Sequence, residues 1–325
     1  RALRASCVDA LAASIPHTHT LDRGPPMPSP RASTRSQSRH RADFSGALYI
    51  LPSFAILMVI MIIPIAMSAY FSFTQYSVLD SPQFSGLDNY SRLISDASFK
   101  RSVLVTAVYT AIAVPLQTIL SLWIANSVAR TFPGIFGRLV RSTLFIPVMS
   151  SMVLVGAVWR VFLGGEDGLL NQLLGVFGID NISWLGQPKL ALVMVALVTV
   201  WKNVGYFLVI YYAGIMEIPR ELYEAASLDG ASSAQQFRHI TIPGLRPVTL
   251  LVVILGTIWS FQVFDLVYSL TGGGPGGATS TLVMVIYQAG FKNYQFGYAS
   301  AMAMILFLIV LAISIIQRRV LEKED

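Results

Sequence analysis

The residues best placed to do chemistry in this chain are few, and they lie in two stretches that are otherwise apolar. One reads TVWKNVGYF and carries Lys202 and Asn203 between Trp201 and Gly205; the other reads GTIWSFQVFDLVYSL and carries Ser260, Gln262 and Asp265. A charge at bilayer depth costs at least ~2.5 kcal/mol on insertion scales, so Lys202 and Asp265 must face protein or water rather than lipid. Lys202 therefore has two open readings: a functional-site group, or half of a structural ion pair with Asp265. At 100° per residue, Gln262, Asp265 and Ser269 share one helix face with Ile258, whereas Gly256, Ser260 and Val263 share another. These two faces compete for the same cavity.

What is missing narrows the chemistry further. No G-x-x-x-x-G-K-[ST] occurs, so the chain has no phosphate-cradling loop for ATP, and no H-E-x-x-H occurs. His17, His19, His40 and His239 do not form a membrane cluster, which disfavours a metalloenzyme or intramembrane protease. The single cysteine, Cys7, excludes an internal disulfide. No catalytic residue, metal or cofactor is therefore expected in this chain.

The elements that must position these residues follow from composition. The chain is 54% hydrophobic and 12% charged, with mean hydropathy +0.62, against roughly 25% charged for soluble domains. A span needs ~20 apolar residues to cross ~30 Å of hydrocarbon. Six stretches qualify, at about 47–73, 103–128, 139–163, 190–215, 247–270 and 297–317. Lipid cannot satisfy backbone polar groups, so these runs are predicted to be helices and the fold all-α and multi-pass. Residues 1–44 are basic and rich in Ser and Pro, which predicts a disordered tail ahead of a transmembrane domain at 45–325. The first methionine is Met27, which gives the expectation that residues 1–26 precede the natural start.

Charge distribution orients the spans. With both termini on one side, that side carries sixteen Lys and Arg, and the other carries Arg92, Lys100, Arg101, Lys189 and Lys292. The positive-inside rule then places both termini and the 129–141 and 216–246 loops in the cytoplasm. The arginines are not interleaved with aromatic stacking residues, so nucleic acid is not an expected partner.

The 216–246 loop holds the densest polar insert, EIPRELYEAASLDGASSAQQFRHITIP from Glu217 to Pro243. Pro219 suits a helix N1 position, Glu221 and Glu224 load the first turns with negative charge, and Gly230 supplies a stop. Ser232 or Ser233 can cap a second short helix, which Pro243 ends. Two short helices at the membrane surface are predicted. Glu224, Ala225, Ala226 and Gly230, followed by Ile240, Thr241, Ile242 and Pro243, resemble the EAA loop of permease subunits of binding-protein-dependent ABC importers. Gly86, Leu87, Asp88, Asn89 and Tyr90 resemble the GLxNY element of the sugar-type members, and LTGGGPGGATSTL resembles their glycine-rich run. The resemblance extends over roughly residues 45–320.

That resemblance implies six helices in the type I importer permease fold, the MetI-like fold, in a bacterial inner membrane. It implies a second, different permease subunit, two cytoplasmic ABC ATPases that bind ATP and Mg, an extracytoplasmic binding protein and a sugar as cargo. Glu224, Ala225, Ala226, Asp229, Gly230, Ser232, Phe237 and Pro243 would couple to the ATPase. In maltose-type members the sugar lies at mid-membrane, and the matching positions here are Trp201, Val204, Gly205 and Leu208, then Gly256, Ser260 and Val263. Several are apolar where the maltose-type pattern is polar. The polar-stripe argument adds Lys202, Asn203, Gln262 and Asp265, and Trp201, Trp259 and Phe261 could supply an aromatic face for sugar C–H groups. Glycerol 3-phosphate or a glycerophosphodiester is the alternative cargo, with Lys202 neutralising phosphate, and a non-transporting membrane scaffold is a third reading.

Overall fold

The computed structural model describes residues 44–77, 80–130, 134–165 and 168–322. The expected disordered tail lies, up to residue 43, outside the described residues. The chain falls into two compact units, Arg1–Phe54 and Ala55–Asp325. What is described of the first is the opening of α1 (Phe44–Leu57), where Ser53 Oγ donates to the Ile50 carbonyl at 2.9 Å.

The second unit is mostly helix, as long apolar runs without water must be. A wide π turn at Met58–Ile62 leads into α2 (Ile63–Ser72). Pro64 has no N–H to return to the preceding turn, and the Ile63 N–H reaches back to the Met58 carbonyl, which absorbs the mismatch. A small antiparallel pair follows, β1 (Thr74–Gln75) on β2 (Gln83–Phe84), with Thr74 opposite Phe84. Then come α3 (Asp88–Ser95), α4 (Ala97–Arg130), α5 (Ile135–Met149), α6 (Met152–Leu163), α7 (Leu169–Gly175) and α8 (Pro188–Glu217). The polar insert folds as α9 (Arg220–Leu228), α10 (Ser233–Gln236), a π turn and α11 (Ile242–Gly244). The chain ends with α12 (Arg246–Phe261), α13 (Asp265–Leu270), α14 (Leu282–Tyr287) and α15 (Phe296–Glu322).

Among the described residues, four stretches are single helices long and apolar enough to cross a membrane: Tyr49–Ser72, Ala97–Arg130, Pro188–Glu217 and Phe296–Val320. Two more candidates are bent. Ile135–Met149 and Met152–Leu163 meet at 98°, and Ser233–Gly244 meets Arg246–Phe261 at 69°. The continuous helix expected over 139–163 is interrupted at the 98° bend, and the one expected over 247–270 is interrupted between α12 and α13, away from the 69° bend. In the first, Pro147 removes a donor in the last turn of α5, and Ser150 and Ser151 adopt extended backbone, with ψ of 146° and 137°. In the second, α12 stops at Phe261, and Phe264 (φ −135°, ψ −58°) leaves the helical region before α13 starts. The Val263 carbonyl freed by that break accepts from Thr281 Oγ1 at 2.9 Å. The expected start of the second span, residue 103, moves back to Ala97, because the Asp96 carboxylate accepts from the Ser98 and Phe99 N–H groups and starts the helix there.

Packing centres on α4, which runs along α8 and also meets α12, while α8 is backed by α5, and α6 by α13. Tyr109, Ala113, Val195, Ala196 and Leu266 form one buried cluster, and Phe207, Leu208, Tyr211, Leu245 and Val252 another. Lipid tails are as apolar as these side chains, so helix association in a bilayer depends on close fit rather than on escape from water. Gly205 shows that fit. A Cβ there would lie 2.0 Å from the Leu144 carbonyl oxygen, so the α8 and α5 backbones touch at this point.

Candidate functional site

A cavity of about 330 Å³ opens where both broken spans meet α4 and α8. Lys202 and Asn203 reach it from α8, and Ser260, Gln262 and Asp265 line it from the end of α12 and the start of α13. The two faces that compete on a continuous helical wheel thus reach one cavity, because the break at 262–264 turns the chain between them. Trp259 and Phe264 supply aromatic walls. Trp259 is backed by Tyr206, with centroids 5.0 Å apart, and Phe264 by Tyr287, at 4.9 Å.

The polar groups of this cavity divide by how far they are already engaged. The Tyr109 hydroxyl, fully buried, donates to Thr199 Oγ1 at 2.8 Å, and Thr199 Oγ1 donates to the Val195 carbonyl at 2.9 Å. Both hydroxyls are thereby fixed as floor. The Lys202 ammonium donates to the Val148 carbonyl oxygen at 3.3 Å. That carbonyl lies in the last turn of α5, whose acceptors lose their helical donors at the 98° bend, and a cation at a helix C-terminus is favoured by the aligned peptide dipoles. The suggested pairing of Lys202 with Asp265 is thus replaced by a carbonyl contact, although both residues line the cavity. Asn203, Gln262 and Asp265 also line the cavity, which gives it two carboxamides and a carboxylate.

Three expected aromatic or small contributors lie elsewhere. Trp201 is 43% exposed on the other side of α8 and packs edge-on against Trp159, with centroids 5.6 Å apart. Gly205 is consumed by the contact with α5, and Phe261 is buried in packing. Ser269 bonds back to the Asp265 carbonyl and packs against Gly156. The sequence reading missed Tyr109, Thr199, Met152 and Phe264. Thr199 carried a usable signal, because positions 199, 202 and 203 fall on one helix face.

At one end of the bundle the polar insert forms the predicted hairpin of short helices. Pro219 stands one position earlier than expected, as the extended N-cap of α9 rather than its first residue. Gly230 has φ +76°, a left-handed conformation that side chains with a Cβ rarely adopt, and it ends α9 as a C′ glycine. Ser232 then caps α10 in a reciprocal box with Gln235. Glu224, Ala225, Asp229, Gly230 and Ser232 are exposed on this hairpin, as is Pro243, while Ala226 and Phe237 are partly covered. Leu228, at 90% exposure, is an apolar side chain presented almost bare at its tip. Behind it a groove of about 560 Å³ runs between Leu222, Pro219, Pro243 and Val248.

At the opposite end, the sequence elements that looked like motifs act as staples. The Asn89 amide donates to the Ser72 and Thr74 carbonyls at 3.0 and 2.9 Å, and the Tyr90 hydroxyl to Ser72 Oγ at 2.8 Å. Together they tie α3 to the end of α2. Asn171 does the same for the segment before α8, accepting from the Trp184 indole at 2.8 Å, which gives Trp184 an internal anchor. Burial raises the Asp96 carboxyl, but the Tyr298 hydroxyl, the Phe99 and Ser98 N–H groups and nearby Arg92 outweigh it and hold the group below the usual carboxylate range.

Comparisons with known proteins agree with this architecture. The family described as "binding-protein-dependent transport system inner membrane component" matches residues 97–323. A protein of Bacillus subtilis named as the probable ABC transporter permease protein YurN is 36% identical over 84% of this chain and 94% of its own length. The trehalose/maltose transport system permease protein MalF of Thermococcus litoralis is 32% identical over 88% of this chain and 96% of its own. Among solved structures, a bacterial ABC transporter involved in import of the acidic polysaccharide alginate has a chain that superposes with TM-score 0.77. It is 21% identical over 86% of this chain and 96% of that one, a likeness of fold.

Proposed function

Because this chain belongs to the family of binding-protein-dependent transport system inner membrane components, we propose that it moves a neutral sugar or short oligosaccharide through a pathway that includes the cavity beside Asp265. As a permease subunit it is a transporter component rather than an enzyme, and ATP hydrolysis belongs to a separate subunit in this family. The observation that carries the sugar reading is the cavity's chemistry. It presents one carboxylate, two carboxamides and two aromatic walls, the combination that hydroxyl pairs and C–H faces require. Relatives named for trehalose/maltose and lactose transport point the same way.

A phosphorylated glycerol fits the cavity less well. The Asp265 carboxylate would repel a phosphate dianion, and the Lys202 ammonium is already engaged with the Val148 carbonyl. A volume of about 330 Å³ lies at the small end of ligand sites. A second permease subunit would complete it by covering Gln262 and Asp265, the polar lining residues left exposed.

In the proposed arrangement the hairpin and both termini face the cytoplasm of a bacterial cell, in its inner membrane. Two ATPase subunits dock on the hairpins of the two permeases, with Leu228, Glu224 and Asp229 among the contacts on this one. A binding protein delivers the sugar at the opposite end. ATP binding by the partners favours one access state and hydrolysis releases it, since a ligand shifts an equilibrium only through differential affinity. The test is ATPase activity of the co-purified complex in liposomes, with binding protein loaded from a panel of neutral sugars and glycerol phosphates. Stimulation by a neutral sugar is expected; stimulation by glycerol phosphates alone would overturn the cargo, and failure of any ATPase to associate would overturn the transport reading.

A further inference from the structure

Coupling between a membrane-surface hairpin and a buried cavity needs a mechanical link, and the peptide connections alone supply poor ones. From α8 the chain reaches the hairpin through Ile218 and Pro219, both extended, with ψ of 125° and 131°. From the hairpin to α12 it turns by 69° at Leu245. Neither junction is a rigid continuation of a helix.

A third link does not follow the chain. Arg130 is the last residue of α4, and its Nη2 donates to Gln236 Oε1 at 2.6 Å. Its Nη1 reaches the Ser233 carbonyl at 3.5 Å, and its Cζ lies 4.5 Å over the Tyr223 ring. Gln236 is only 8% exposed, and its amide nitrogen donates to Ser227 Oγ at 2.9 Å and to the Ala231 carbonyl at 3.3 Å. The Tyr223 hydroxyl in turn pairs with Thr241 Oγ1 at 3.0 Å. One guanidinium therefore grips α9 through Tyr223 and α10 through Gln236, while Gln236 locks the two short helices to each other.

The other end of the same helix is at the cavity. Tyr109 stands on α4 roughly 31 Å from Arg130 at 1.5 Å per residue, and its side chain forms part of the cavity floor. The helix continues through Pro115 without a break. We propose that Arg130 is a positioning residue that latches the coupling hairpin to α4, so that hairpin displacement reaches the cavity through Tyr109. The inference rests on the transport reading and adds to it a specific route. The planar fork of arginine suits this task, since it stacks on one helix while it donates along its edge to the other.

The test uses the whole complex in proteoliposomes with loaded binding protein, and reads solute moved per ATP hydrolysed. The unaltered complex is measured first: if it shows no stimulated hydrolysis, the transport reading itself has failed. Given a working complex, Arg130→Gln should retain ATP hydrolysis while solute per ATP falls about ten-fold, the scale of one lost charged hydrogen bond. Gln236→Met, which keeps the volume and removes the polar contacts, should behave alike, and the double variant should be no worse than either single one. Arg130→Lys should recover part of the ratio. An unchanged ratio in both single variants would overturn the latch, as would additive losses in the double variant. A parallel fall of hydrolysis and transport would also overturn it, because that pattern marks failed docking rather than lost coupling.

Discussion

The contact between α8 and α5 at Gly205 can be tested by a single methyl group. A Cβ there would lie 2.0 Å from the Leu144 carbonyl oxygen and 2.6 Å from its carbon, whereas ordinary contact begins at 3.4 Å. Gly205→Ala thus requires the two backbones to separate by about 1.4 Å at that point. The obstacle is main chain, which cannot rotate away as a side chain can, so the cost should reach or pass the upper end of the ~1–3 kcal/mol typical of overpacking. Better helix propensity of alanine returns only ~1 kcal/mol. The displacement has a functional consequence, because the Lys202 contact with the Val148 carbonyl, already 3.3 Å, lies one turn away across the same interface. Gly214 on the same helix is the control. The nearest atoms a Cβ would meet there belong to side chains, Val248 Cγ2 at 2.7 Å and Leu245 Cδ2 at 2.9 Å, which yield more readily than main chain. Thermal unfolding of the two purified variants, followed by loss of the monodisperse peak, should show Gly205→Ala clearly less stable than Gly214→Ala, with uptake lost only in the former. Equal stability and equal uptake would refute the backbone contact and the cavity geometry built on it.

Asp265→Asn should leave assembly intact and reduce sugar-stimulated ATP hydrolysis at least ~10-fold, the lower bound for one hydrogen bond to a charged acceptor; unchanged stimulation across the sugar panel would remove Asp265 from the site. Gly230→Pro cannot adopt φ +76°, so transport should be abolished while membrane insertion, read by protease accessibility, stays normal. For Asp96, the depressed carboxyl means that its ionised form stabilises the fold above the usual carboxylate range and that this contribution fades as pH falls through the native value. Asp96→Ala should therefore lower stability at neutral pH by ~1–2 kcal/mol, mostly as a lost N-cap, and the gap to the parent protein should close in strong acid. A gap that persisted unchanged at pH well below that range would contradict the assignment.

Much of the architecture was legible because the bilayer leaves the backbone few options. The unbroken helices over α4, α8 and α15 follow from apolar runs too long for anything else, and the hairpin follows from Gly230 and Ser232 standing where a stop and a cap are needed. The site was legible only in part. Lys202, Asn203, Ser260, Gln262 and Asp265 do come together, since polar groups in apolar runs have to be gathered somewhere. Trp201 and Gly205 do not join them, because a helical position alone fails to say which neighbour a face will meet. Tyr109 was hidden for the opposite reason: it sits in an apolar run whose partner, Thr199, is distant in sequence.

The two interruptions have different origins, and the difference bears on where the cavity is. The α5–α6 bend carries a local signature, Pro147 followed by two serines. The α12–α13 break carries none, with neither glycine nor proline between Phe261 and Asp265, and the Val263 carbonyl it exposes is satisfied by Thr281, far along the chain. Non-helical backbone at membrane depth persists only where protein or a polar cavity surrounds it. Here both interruptions border one cavity. Lys202 answers the carbonyl freed by the first, Thr281 answers the one freed by the second, and Gln262 and Asp265 line the cavity at the second break. The failure of the simple helical wheel at Gln262 is thus physically tied to the site, because a straight helix would have sent Ser260 and Asp265 to different faces and left the cavity with half its polar groups.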